Sequence, residues 1–223
     1  MMRAIAIKEL RETIGIAAIA VALYVAIVTS AAGIDLFQNL ADFAGVNLNG
    51  GGPIPFIGGE FLSRYQLISA GLAIALAVRQ SSWETSRGTY LFLLHRPAPR
   101  QMFFAGKIAT GLVLLQLTAA IPILAFSVWA ATPGTHPSPF EWSMTLPSWR
   151  AWICLPMVYC AAFASGLLPG RWRGQRLLPL LAGLMLYFSG SELAWPLALV
   201  GSLLASVALL SVVGFEAQER DFG

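Results

Sequence analysis

GKIATGLVLLQLTAAIPILAFSVWAA, residues 106–131, decides the architecture, because after Lys107 no Asp, Glu, Lys or Arg occurs until Glu141. A helix of that length rises about 39 Å, more than the roughly 30 Å of hydrocarbon in a bilayer. Comparable apolar runs occupy residues 13–33, 57–78, 150–168, 177–190 and 196–214. The chain is 57% hydrophobic and only 11% charged, whereas soluble domains carry about 25% charged residues. Lipid offers the backbone no hydrogen bonds, so a spanning chain must be helical or a closed barrel. The alternating polarity of a barrel strand is missing. The pattern predicts an all-α polytopic membrane protein, a single transmembrane domain of six transmembrane helices. The run at 177–190 is the shortest, at about 21 Å, so it either extends into Ser191-Glu192-Leu193 or crosses incompletely.

The basic residues orient these runs. Arg3, Lys8, Arg11, Arg79, Arg87, Arg96, Arg100, Lys107, Arg171, Arg173, Arg176 and Arg220 all fall on one side of a six-span topology. Arg150 alone lies on the other, and Arg64 falls within a span. The excess of Lys and Arg on cytoplasmic loops then places the N- and C-termini, and residues 79–105, in the cytoplasm. The net charge of +3 reads as this orientation signal and not as a nucleic-acid surface. Residues 1–12 read as an amphipathic interfacial helix. Ile7, Leu10 and Ile14 form its apolar side, while Lys8, Glu9, Arg11 and Glu12 face the headgroup layer.

The longest polar connector is SSWETSRGTYLFLLHRPAPRQMFFAGK, residues 81–107. Residues 82–94 contain no proline and predict a short helix with Trp83, Tyr90, Leu91 and Leu94 near one face. Glu84 and Arg87 stand three apart, a spacing that permits a side-chain pair. Pro97 and Pro99 disfavour helix at the residues before them, and a new helix begins near Arg100. A helix held between two spans by a stiff Pro-Ala-Pro turn would move both spans when pushed. The plainer alternative is a basic loop that fixes topology only.

These residues resemble a known family. Glu84, Arg87-Gly88-Thr89, Leu93-Leu94, Arg96-Pro97, Arg100 and Gly106-Lys107 are similar to the first cytoplasmic loop of ATP-binding-cassette (ABC) type-2 permeases. IKELRE before the first span and FEAQERDFG at the end resemble that family's entry helix and short tail. The resemblance implies a coupling helix seated in a groove of a cytoplasmic ATPase subunit, with Trp83, Glu84, Arg87, Gly88 and Thr89 at the contact. Arg96 and Arg100 would meet the ATPase or lipid phosphates. It also implies a second permease subunit, identical or not, export as the direction, and the inner membrane of a prokaryote as the location. No cofactor is expected in this chain, and ATP-Mg is expected on the partner. The short outer connectors depart from larger family members and leave no room for a large extracytoplasmic domain. From a different class, a non-transporting membrane anchor or regulatory scaffold has the same pattern of spans.

Catalysis in the chain itself is not expected. FAGKIATG has Gly106-Lys107, but Ile108 follows and no Gly lies five positions before Gly106, so the phosphate-binding loop is absent. Ser165-Gly166 superficially fits an intramembrane serine protease, yet His95 and His136 fall in connectors on opposite sides. Two His and two Cys without ligand spacing predict no metal site. Cys154 and Cys160, about 9 Å apart along a helix, are too far apart for a disulfide. Glu60, Arg64 and Gln116 are the candidate substrate path, since ionisable groups within a membrane are functional by default. Glu60 and Arg64 also have the spacing of an intrahelical pair, and Gln116 that of a polar interhelical contact.

Overall fold

The computed structural model describes residues 2–33, 54–57, 60–86, 100–136, 138–168 and 173–219. Six α-helices account for nearly all of these: α1 Met2–Ala31, α2 Glu60–Ser86, α3 Arg100–Ala131, α4 Leu146–Leu167, α5 Arg173–Gly190 and α6 Trp195–Glu219. A 3-10 turn, Trp142–Thr145, leads into α4. Among the described residues no strand occurs. Among the described residues, five stretches are long and apolar enough to cross a bilayer: Ala6–Ala31, Glu60–Ser82, Phe103–Ala131, Trp142–Leu167 and Trp195–Phe215. The chain is therefore a multi-pass helical membrane protein. The run expected at 177–190 does form a helix, α5, but α5 is not among the five. Its apolar part is short and its first turn carries Arg173 and Arg176.

The surface reads as lipid-facing. Leu67, Val113, Leu117, Val128, Met185 and Leu204 are all well exposed, a density of apolar groups that water does not tolerate on a monomer. The interior centres on α4, in which every residue from Met157 to Leu167 is buried. α2 packs against α4, which also carries α5 and α6, and α1 lies against α2 and α3. Such an enclosed helix needs small residues where neighbours approach, and α4 supplies Ala151, Cys154, Cys160, Ala161, Ala162, Ala164 and Gly166.

Local polar bonds fix this packing. Pro179 interrupts the hydrogen-bond ladder of α5, and the next amide, Leu180 N–H, donates to Ser165 Oγ of α4 at 3.1 Å. Ser165 is thus a packing residue. Ser165→Ala would remove this bond between α4 and α5 and is expected to cost about 0.5–1.5 kcal/mol, read as a lower unfolding midpoint in detergent. At the far end of the bundle, Phe56 holds a left-handed backbone (φ 63°), unusual for a bulky side chain. Its ring packs on Phe126 at 4.6 Å and Phe61 at 5.2 Å.

Two sequence expectations meet a different geometry. The N-terminal segment is not separated from the first span, because α1 runs unbroken from Met2 to Ala31. The helix carrying the second span likewise continues to Ser86, so Trp83 and Glu84 lie in its last turn and not in a separate helix starting at 82. No helix breaker stands between Arg79 and Ser86, and nothing forces the chain to turn at the headgroups.

A buried ionic junction as the candidate functional site

One face of α1 turns inward: Glu9, Thr13, Ala17, Ala20, Tyr24 and Ile27 recur every three to four residues and are all buried. The opposite face presents Ile7, Leu10 and Ile14, exposed by 56%, 42% and 56%. The side read as polar is divided: Glu9 is turned inward, at 1% exposure, while Arg11 and Glu12 are exposed together with Ile7, Leu10 and Ile14.

What receives Glu9 is Lys107 of α3, which has no exposed surface. Its Nζ lies 3.4 Å from Glu9 Oε1 and donates to the backbone carbonyl of Gln80 on α2 at 3.1 Å. The same ammonium sits 5.3 Å from the centre of the Phe103 ring, within range of a cation–π attraction. Tyr159 of α4 donates its hydroxyl to Gln80 Oε1 in a short hydrogen bond. Four helices therefore meet through Glu9, Gln80, Lys107 and Tyr159. Thr13 closes the turn below by donating to the Glu9 carbonyl at 2.7 Å.

A second, half-exposed layer covers the first. Arg79 Nη2 lies 3.6 Å from Glu12 Oε2. Lys8 stands 3.7 Å from Glu12 and 4.0 Å from Glu9. The inner pair is the one that matters energetically. A lone charge away from water is very costly, whereas exposed pairs contribute about 0–1 kcal/mol.

Two glycines make the close approach possible. A Cβ at Gly111 of α3 would collide with the Tyr159 hydroxyl and Gln80 Oε1. A Cβ at Gly166 of α4 would collide with the side chains of Ser81 and Ser82. The backbones of α2, α3 and α4 thus converge on this point because these positions carry no side chain.

The residues expected from sequence are spread over three places. Glu60 and Arg64 form an ion pair at 3.3 Å at the opposite end of α2, and Arg64 Nη1 also donates to Ser30 of α1 at 3.3 Å. Gln116 is in mid-α3. Its carbonyl accepts from Trp152 Nε1 at 2.9 Å, and its side-chain oxygen is buried without a hydrogen-bond partner among the described residues. The structure does not gather the three into one site. Arg100 opens α3, while Arg87, Gly88, Thr89 and Arg96 lie outside the described residues. Gln80 and Tyr159 were not singled out from the sequence; Glu9 was read on the polar side facing the headgroups, and Lys107 as a topology charge and part of the Gly106-Lys107 motif.

Lys107 is committed to a carboxylate and a carbonyl. His136, a potential base, is far along the chain in the connector after α3, where its Nε2 bonds to the Ala130 carbonyl at 2.7 Å. No protein-family model matches the chain, and no curated protein and no solved structure shows significant similarity to it.

Proposed function

We propose that this chain is the membrane-spanning permease subunit of an ABC transporter of the type-2 class in a prokaryotic inner membrane. In this reading both termini and residues 79–105 are cytoplasmic, α5 completes six crossings, and two such subunits pair. A separate cytoplasmic ATPase docks on residues 83–100 and hydrolyses ATP-Mg, driving export of a substrate between the subunits.

The observation that carries this reading is the position of the junction. Gln80 and Lys107 flank the connector on which the family resemblance rests. They are joined to each other at 3.1 Å, and through Glu9 and Tyr159 to α1 and α4. A push on the connector would therefore reach four helices at once and not two. Glu60, Arg64 and Gln116 remain the residues for substrate contact in this proposal.

The test is co-purification of the full chain from detergent, followed by mass spectrometry for a cytoplasmic ATPase, with Gly88→Trp as the comparison. An ATPase that accompanies the native chain and is lost with Gly88→Trp is the expected result. Reconstituted with that ATPase, Glu84→Lys is expected to lower transport-coupled ATP hydrolysis without impairing membrane insertion. A folded native chain that brings no ATPase would overturn the proposal and favour a membrane anchor or scaffold of the same fold.

A further inference from the structure

The ends of two candidate spans, Phe103–Ala131 and Trp142–Leu167, border a cleft of about 360 Å³. It lies at the far end of α3 from the ionic junction, about 36 Å of helix rise beyond Lys107. One wall is the end of α3 with the turn that follows it, and another is formed by Phe140 and Trp142. His136 and Ser138 also line it.

The walls are held in place. His136 Nε2 donates to the Ala130 carbonyl at 2.7 Å, and Ser138 Oγ lies 3.3 Å from its Nδ1. Thr135 Oγ1 donates to the Thr132 carbonyl at 2.8 Å. The Phe140 ring is backed by Phe56 at 6.3 Å and meets the Trp142 ring edge-on, at 5.3 Å and 73°. Trp142 is 62% exposed, so this aromatic corner is uncovered on one side.

The charge around the cleft has one sign. Between Lys107 and Arg150, Glu141 is the only Asp, Glu, Lys or Arg, and in the chain it stands between the two rings. The end of α3 adds the negative pole of a helix dipole. No Lys or Arg is among the described lining residues, and Arg150 is turned to the Leu193 carbonyl at 2.8 Å. A carboxylate, a helix C-terminus and two aromatic rings all favour a cation. A hard metal ion needs a cage of oxygen ligands, and no group of three His, Cys, Asp or Glu suited to a metal occurs among the described residues. Aromatic walls suit a diffuse organic charge instead.

We propose that this cleft binds an organic ammonium group, seated against Phe140 and Trp142 with Glu141 as its counter-charge. The group belongs to a soluble amine or to a zwitterionic lipid headgroup, since the cleft lies where two candidate spans end. The inference does not rest on the transport reading and holds equally for a scaffold.

Choline is the probe, titrated into the full chain purified in a sugar-headgroup detergent and followed by saturation-transfer NMR on its methyl protons. Saturable binding is expected. The uncharged isostere of choline, in which a quaternary carbon replaces the nitrogen, is expected not to bind. Trp142→Leu and Glu141→Gln are each expected to weaken choline binding about two- to fivefold, as for the loss of one exposed cation–π or charge contact. Both residues are exposed, so the variants are expected to keep the native unfolding midpoint. Nanodiscs then separate the two sources. Weaker apparent choline binding in phosphatidylcholine than in an uncharged glycolipid identifies the lipid headgroup as the occupant, and equal binding identifies a soluble amine. No saturable binding of choline in detergent, equal binding of the uncharged isostere, or variants that bind like the native chain would overturn the proposal.

Discussion

Lys107→Met is expected to be among the most damaging single substitutions in this chain. It leaves Glu9, 1% exposed, without its buried cation, the half-exposed Lys8 at 4.0 Å being a weaker substitute. Removing one partner of a buried pair costs about 3–5 kcal/mol, a large part of the roughly 5–15 kcal/mol that holds a typical protein folded. The measurement is the yield of monodisperse protein and its unfolding midpoint in detergent. Glu9→Gln combined with Lys107→Met removes both charges and is expected to recover much of the loss. A Lys107→Met protein as stable as the native chain would mean that the pair does not form. Lys8→Met makes a useful contrast, because the Lys8 side chain is 40% exposed and its pairs belong to the class worth about 0–1 kcal/mol.

The second large effect is expected at Gly166. A valine there collides with the side chains of Ser81 and Ser82, so α2 and α4 must separate along their most extensive interface. Overpacking of this kind costs about 1–3 kcal/mol. The separation would also pull Gln80, adjacent to Ser81, away from Tyr159. Adding Ser81→Ala removes the hydroxyl but not the Cβ, so it should relieve the strain only in part. Gly201 of α6 supplies the comparison: a Cβ built there meets nothing within 4 Å. Gly201→Ala is expected to be neutral, or stabilising by up to about 1 kcal/mol through helix propensity. Equal losses at Gly166 and Gly201 would count against the close approach of α2 and α4.

These two sites mark where sequence reading succeeds and where it stops. The helices were legible because a run such as 108–131 cannot be anything else at that length and polarity. The Glu60–Arg64 pair was legible too, being local: four residues apart on one helix, it needs no knowledge of the fold. The centrality of α4 was not. Lipid is as apolar as a protein core, so hydropathy does not separate a helix that faces its neighbours from one that faces lipid. What sets α4 apart is the size of its residues from Cys160 to Gly166, a weaker signal than their polarity. Glu9 was misread for a related reason. At the edge of a membrane a charged helix face can turn towards headgroups or towards a buried cation, and the choice depends on Lys107, almost a hundred positions later. The connector residues Arg87 to Arg96 carry the family resemblance and lie outside the described residues, so the docking role stays with the co-purification experiment.

The ionic junction has a consequence for the order in which the protein is made. Chains emerge from the ribosome N-terminus first, so Glu9 reaches the bilayer two helices ahead of the ammonium that neutralises it. Until α3 arrives, the start of α1 must stay where water can reach its carboxylate. Gln80 on α2 is made before the ammonium it receives, and Tyr159 on α4 comes after it. The joint that ties four helices together in the finished protein is thus complete only when the fourth of them has been made.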